Sequence, residues 1–317
     1  MNCDNNLNIK FFCRSFNKEL YEQSRRLYAD AGYPCIRLTD QTADGYFYTM
    51  LRDEDCDVAI NVDEDCFITD IEAVLALVQY VVENDIANAG CPDGGCYAHR
   101  SGNPIVTNPF FNVLNLRLLR KLLNKNEIVE NVSERSIVEN VSERSIVESV
   151  SKRSKKVFDY KEHRERLEAN YPREMLIEGR RYDFSSADKE PYYPFFLWQV
   201  SVSRTLYLPN HLHDDGITTI LLNHEGREMC RHTWFARFYS VPAFIIHHWQ
   251  PNAGAQKSRI DNVIGEAYAM RGIARPMFTF ADRLSFLIDK IIRWLIKIPQ
   301  RIFGWRKKIK KKLSKGT

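Results

Sequence analysis

Three consecutive acids, Asp63-Glu64-Asp65, follow the apolar, β-branched run Val58–Val62 and precede a second apolar run, Cys66-Phe67-Ile68. Alternation along an extended chain puts Asp63 and Asp65 on one face and Glu64 on the other. Two carboxylates converging at a strand end repel each other and raise each other's pKa unless a cation lies between them. A hard divalent ion, Mg2+ or Mn2+, held by carboxylate oxygens and completed by water and phosphate oxygens, resolves that repulsion. A solvated acidic turn is the plainer reading of the same residues. A calcium loop is a third: Asp53, Asp55, Asp57 and Glu64 meet its spacing. Val58, however, stands where that loop needs a glycine, and Val58–Val62 would have to be loop rather than strand. The calcium loop is excluded.

Other residues with chemistry lie further along. In His211-Leu212-His213-Asp214-Asp215-Gly216, adjacent carboxylates precede a glycine turn and an expected helix. Asp214 or Asp215 is then either that helix's N-cap or a general base in an acceptor cleft. His232-Thr233-Trp234-Phe235-Ala236-Arg237 follows, and then an apolar strand, Ala243–Trp249, carrying His247 and His248. Only one of that last pair can face a site, because alternation sends the other to the opposite side. Ala89–Cys96 holds Gly90, Gly94 and Gly95 but matches neither a P-loop nor a dinucleotide fingerprint. With Asp93 at its centre it reads as a loop over the acceptor or as an ordinary connector. The aromatic cluster Glu190–Trp198 reads as core, with Trp198 as an alternative stacking wall for an acceptor.

The elements that must position these residues are an alternation of strands and helices. Ile9–Cys13, Cys35–Leu38 and Val58–Val62 are expected strands, with helices over Lys18–Ala31 and Asp44–Arg52 between them. A third helix is expected over Ile71–Asn84, opened by Thr69-Asp70. Strand-helix-strand spacing of this kind signals an α/β unit with a mainly parallel sheet, whose ligands bind at the carboxyl ends of the strands. Arg14-Ser15 and Thr39-Asp40 fall on that rim beside the acids, and Arg14, Ser15 and Asp40 are candidate nucleotide contacts.

Residues 128–154 are three copies of a nine-residue unit, IVENVSERS, IVENVSERS and IVESVSKRS. A period of nine turns a helix by roughly 180° per copy and flips a strand's face, so no apolar stripe stays buried. The repeat therefore reads as a surface insertion. It divides the chain into an α/β half (1–125), the repeat and charged insertion (126–166), a second half (167–280) and a tail (281–317). The tail holds twelve Lys/Arg against two Asp, a net of +10, leaving about −6 for the rest of a chain whose net charge is +4. A core of that sign argues against a nucleic-acid-binding fold. Arg283, Lys290, Arg293, Lys297 and Arg301 alternate with Leu284, Leu287, Ile288, Ile291, Trp294, Leu295 and Ile298 at helical spacing. This is a basic amphipathic helix, too charged to span a bilayer and suited to an anionic membrane surface. The eight cysteines include no C-x-x-C pair, and the N-terminus has no apolar leader, so the expected setting is a reducing cytoplasm with peripheral attachment to the inner (plasma) membrane.

An apolar strand ending in Asp63-Glu64-Asp65 resembles the DxD motif of GT-A glycosyltransferases, and Asn108–Asn115 resembles the donor-sugar region of bacterial members. The resemblance spans residues 8–270 and also draws on Asp214-Asp215, His232–Arg237 and His247-His248. It implies a GT-A-like fold, a metal gripped by Asp65 with Asp63, and His232 or His247 as a further metal ligand. It implies that Asn112 reaches the donor pocket, with Arg237 and Lys257 holding a diphosphate. The implied activity is metal-dependent transfer from a nucleotide sugar to a glycan or lipid-linked acceptor in cell-surface polysaccharide or lipopolysaccharide assembly. No candidate site residue lies beyond Lys257. The rivals are a sugar nucleotidyltransferase, which needs a glycine-rich loop where Arg14–Lys18 stands, and a membrane-tethered binding module with structural acids.

Overall fold

The computed structural model describes residues 7–39, 45–96, 103–131, 190–234 and 253–293, with a few isolated positions between them. The chain opens with β1 (Ile9–Arg14), α1 (Lys18–Arg25), β2 (Cys35–Leu38), α2 (Gly45–Leu51) and β3 (Val58–Val62). Next come β4 (Cys66–Ile68), α3 (Ile71–Glu83), β5 (Ile86–Pro92), β6 (Thr107–Asn115) and α4 (Leu116–Asn131). A short ribbon, β7 (Leu176–Ile177) with β8 (Arg180–Arg181), precedes α5 (Tyr193–Val202) and β9 (Arg204–Tyr207). Then follow β10 (Asn210–Leu212), β11 (Thr219–Leu222), β12 (Glu228–His232), α6 (Ala253–Met270) and α7 over 280–293.

Six strands form the main sheet in the order β2-β1-β3-β6-β5-β9. All run parallel except β6, which is antiparallel to both β3 and β5. The fold is therefore mixed α/β, as the strand-helix spacing implied. Strand β3 is apolar along nearly its whole length because both of its faces are covered. Ile9, Phe11, Val58, Ile60 and Val62 point into one core with residues of α1, α3 and α6. Phe12 and Ala59 point into the other, with residues of α2, α4 and α5. The aromatic cluster is core, as expected: Phe195 stacks on Phe47 with ring centroids 5.1 Å apart, and Phe196 meets Phe47 edge-on at 4.8 Å.

A second, antiparallel sheet runs β10-β11-β12-β4. Its β12–β4 pairing ties residues 228–232 to the strand that follows the acids. Strand β9 joins the main sheet through β5, so the segments before and after the repeat share both sheets. The first four residues of the repeat, Ile128–Asn131, continue α4; the remainder lies outside the described residues.

Three expectations are corrected. The helix over Lys18–Ala31 stops at Arg25, and a 3-10 turn over Ala29–Ala31 leads to Gly32 at φ +80°, a left-handed end that favours glycine. No helix follows Gly216: the next element is β11, and Asp215 sits in a hairpin turn. Ala89–Pro92 belongs to buried β5 rather than to a loop. There a Cβ on Gly90 would lie 2.5 Å from Asn112 Nδ2, so the glycine is needed for the close approach of β6.

Candidate functional site

Strand β3 ends at Val62. The Asp63 N–H donates to the Phe110 carbonyl at 2.9 Å, and the Cys66 N–H returns to the Asp63 carbonyl at 3.0 Å, closing a turn over the three acids. Alternation therefore stops before Asp63, and all three carboxylates line one cleft. Glu64 reaches back to the β1–α1 loop, where its Oε2 accepts the N–H groups of Phe16 (2.9 Å) and Asn17 (2.7 Å). Burial pushes its carboxyl up to about 7 against the pull of those donors.

The second sheet brings in the histidine. Cys66 pairs with His232, and the Thr233 N–H donates to the Asp65 carbonyl at 3.0 Å. His232 Nε2 then lies 3.5 Å from Asp65 Oδ1. The imidazole is buried, lying flat on Phe110 at 4.2 Å and edge-on to Trp234 at 4.3 Å. Its Nδ1 has no hydrogen-bond partner among the described residues. The two rings leave the imidazole little freedom, so its Nε2 is held toward Asp65.

Arg259, on α6, braces this corner. It donates to the Trp234 carbonyl (2.6 Å), the Thr218 hydroxyl (3.0 Å), the Asp215 carboxylate (3.2 Å) and the Thr233 hydroxyl. Asp215 also accepts from the Ile217 N–H (2.9 Å), the Thr218 N–H (2.7 Å) and the Thr218 hydroxyl (2.7 Å). Burial alone would raise the Asp215 carboxyl, but the Thr218 and Ile217 donors and Arg259 outweigh it and hold it at about 2. A carboxylate so thoroughly occupied is a poor proton acceptor.

The cleft has a volume of about 1030 Å³. The acids form one side, Arg14 comes from the end of β1, Lys257 from α6, and α7 adds Arg283, Leu287 and Lys290. The Arg14 guanidinium lies 4.8 Å from the Phe16 ring centre and 5.4 Å from that of Tyr46. Lys257 pairs with Asp261 at 2.9 Å and sits over the Tyr239 ring at 4.6 Å. Cations facing acids across one cleft suit a substrate that carries phosphates and arrives with a metal.

Several expected site residues are placed elsewhere. Ser15 is buried and accepts from Arg37 Nε at 2.9 Å instead of lining the cleft. Asn112 is buried within the sheet, donating to Thr107 Oγ1 at 2.9 Å and Asn88 Oδ1 at 3.4 Å. Asp93 is buried, accepting from Asn108 Nδ2 at 2.6 Å and from the Tyr193 hydroxyl, so it braces a turn rather than reaching an acceptor. Trp198 packs beside Phe195, and neither Asp214 nor Asp215 lines the cleft. Asp40, Arg237, His247 and His248 lie outside the described residues.

The sequence reading missed Arg259 and the α7 side of the cleft. Nothing local marks Arg259, whose partners sit in the β10–β11 turn and just after β12. Arg283 and Lys290 were legible as a helical pair but were assigned to the tail alone. Among the described residues no three His, Cys, Asp or Glu side chains form a ready-made metal cluster. The nearest donors are Asp63 and Asp65, with His232 Nε2 3.5 Å from Asp65 Oδ1; an ion held here would need its remaining ligands from water or a bound molecule.

No protein-family model and no curated protein matches the chain. Among solved structures it is similar to A197 from STIV, at 11% identity and a TM-score of 0.32, covering 70% of this chain and 93% of that one. It is also similar to a glycosyltransferase involved in the glycosylation of the major capsid of PBCV-1 (10% identity, TM-score 0.25, 40% of this chain and 67% of that one). A third is the glycosyltransferase GlyE of Streptococcus pneumoniae TIGR4 (11% identity, TM-score 0.25, 62% of this chain and 61% of that one).

Proposed function

We propose that the protein is a metal-dependent glycosyltransferase of GT-A type, using a nucleotide sugar as donor and a glycan or lipid-linked acceptor of a cell-surface polysaccharide or lipopolysaccharide. The observation that carries this reading is the cleft itself, where Asp63 and Asp65 share a lining with Arg14 and Lys257, and where the β4–β12 pairing sets the buried His232 behind Asp65, Nε2 3.5 Å from Oδ1. A nucleotidyltransferase would need a glycine-rich phosphate loop after β1, where Arg14–Lys18 stands. A binding module with structural acids would not need Asp63 and Asp65 lining the same cleft as Arg14 and Lys257.

When bound, Mn2+ or Mg2+ supplies Lewis-acid stabilisation of the departing diphosphate. Asp65 and Asp63 would hold the ion, with His232 as the adjoining nitrogen. Arg14 and Lys257, which line the same cleft, would pair with the phosphate oxygens in charge-assisted contacts. The Arg259 network fixes Thr233, whose N–H in turn fixes the backbone of Asp65. Asp214 and Asp215 have no part in proton transfer in this scheme.

Calorimetric titration with a panel of nucleotide sugars, with and without Mn2+, tests the reading. Metal-dependent binding is expected in the wild type and is lost in Asp65→Ala, with the melting temperature of that variant nearly unchanged. A metal-independent response, or an Asp65→Ala variant that binds and turns over normally, would leave the binding module as the better account.

A further inference from the structure

Helix α7 is docked the wrong way round for an ordinary surface helix. An amphipathic helix on a globular domain turns its apolar stripe inward. Here the polar side is inward: Arg37 holds the Asp289 carboxylate through two bonds of 3.0 and 3.1 Å, and Lys18 Nζ donates to Ser285 Oγ at 2.7 Å. Arg293 is buried against the same aspartate, with its Nε 2.9 Å from Asp289 Oδ2. The outward side carries Leu284, Ile288, Ile291 and Leu295, spaced as one row along the helix, and each is about half exposed (46–51%). Ile292 widens the row, and Met277 and Phe280 extend it at 93% and 82% exposure. A continuous apolar strip of this kind in water marks a binding surface.

The charges identify the occupant. Both acids of the tail, Asp282 and Asp289, are engaged within the fold, Asp282 capping Thr279 and Asp289 binding Arg37. Arg283 and Lys290 flank the apolar row, and the sequence beyond α7 adds only basic residues to the charge. A second copy of the chain would bring these cations against their own kind across a symmetric contact. A nucleic acid would match the cations but leave the aliphatic row in water. An anionic lipid surface satisfies both, with the apolar row at the acyl boundary and the cations among the head groups. No helix among the described residues is long and apolar enough to cross a membrane.

We propose that α7 rests in an anionic bilayer surface by its outward row while its flank walls the substrate cleft, and that the acceptor is therefore a lipid-linked one presented by that surface. Arg283, Leu287 and Lys290 line the cleft from the same helix, so the cleft mouth and the bilayer are adjacent by construction. The acceptor class rests on the glycosyl-transfer reading; the lipid contact does not.

The test is co-sedimentation of the full chain with phosphatidylcholine vesicles and with mixed phosphatidylcholine–phosphatidylglycerol vesicles, alongside Leu284→Gln/Ile288→Gln/Ile291→Gln. The wild type is expected to pellet with the mixed vesicles only, and the triple variant to bind them roughly tenfold or more weakly. Mn2+-dependent nucleotide-sugar binding by the triple variant should be unchanged, because Arg37–Asp289 and the cleft wall are left intact. A wild type that ignores anionic vesicles overturns the inference. So does a dimer in sedimentation velocity that the triple variant dissolves, which would assign the row to a second copy. Vesicle binding without metal-dependent nucleotide binding would overturn the glycosyl-transfer reading and leave the lipid contact standing.

Discussion

Replacing Asp215 by asparagine separates a brace from a base. The carboxylate accepts three hydrogen bonds from Ile217 and Thr218 and lies 3.2 Å from Arg259 Nη1. Burial pulls its pKa upward, but those donors prevail and hold it at about 2 against an ordinary value of 3.8. That gap is equivalent to about 2.5 kcal/mol of preference for the charged form. Its side chain keeps 15% exposure, so screening by water brings the expected contribution to about 1–2 kcal/mol. The folded value lies below the unfolded one, so this stability is fully present above about pH 4 and fades as pH falls toward 2. Asp215→Asn should therefore melt a few degrees below wild type at pH 7, and the two should converge at the acid end. Loss of a general base would cost roughly 10² to 10⁴ in rate, whereas loosening of the Thr233–Asp65 contact should cost far less. The assay is thermal unfolding from pH 7 to pH 2 beside kcat/KM at pH 7. A variant that melts like wild type at every pH yet has lost a hundredfold or more in rate would refute the assignment and restore Asp215 as the base.

Two further outcomes follow from the placement of α7 and of the repeat. Truncation after Thr279 should weaken Mn2+-dependent donor binding as well as vesicle binding, since Arg283, Leu287 and Lys290 line the cleft; calorimetry showing wild-type donor affinity would mean the helix is only an anchor. Deleting one copy of the repeat, Ile137–Ser145, should leave activity and melting temperature nearly unchanged, because loop length enters stability only weakly; a marked loss of either would show that the insertion packs on the core.

The parts of the fold legible in the sequence are those fixed by local pattern. The Cys35–Leu38 and Val58–Val62 strands match β2 and β3 residue for residue, and α3 starts where Asp70 accepts the Ala73 N–H at 3.0 Å as its N-cap. What could not be read is pairing at a distance. Strands β4 and β12 lie more than 150 residues apart, and nothing in either three- to five-residue segment names its partner. Asn112 shows the same limit. The resemblance of Asn108–Asn115 to a donor-sugar region put it in the pocket, yet here Asn61, Asn88 and Thr107 engage it within the sheet. Asp93 misleads in the same way, because burial with Asn108 and Tyr193 cannot be told from exposure in a glycine-rich stretch. The amphipathic pattern of the tail was plain, but which of its faces meets the protein depends on Arg37, far upstream.

The two aspartates of the acid turn are anchored by different sheets. Asp63 is fixed through its N–H to the Phe110 carbonyl on β6, and Asp65 through its carbonyl to the Thr233 N–H beyond β12. Phe110 also carries the His232 ring on its face at 4.2 Å, so one residue of the main sheet supports both the first acid and the histidine. The separation of the carboxylates is thus set by how the small sheet seats on the large one. Arg259 fastens that seating from α6, reaching the β10–β11 turn through Asp215 and the end of β12 through Trp234. A site built this way needs no special sequence around Asp63–Asp65. It needs Phe110, Thr233 and Arg259, three residues whose importance lies entirely in where the fold puts them.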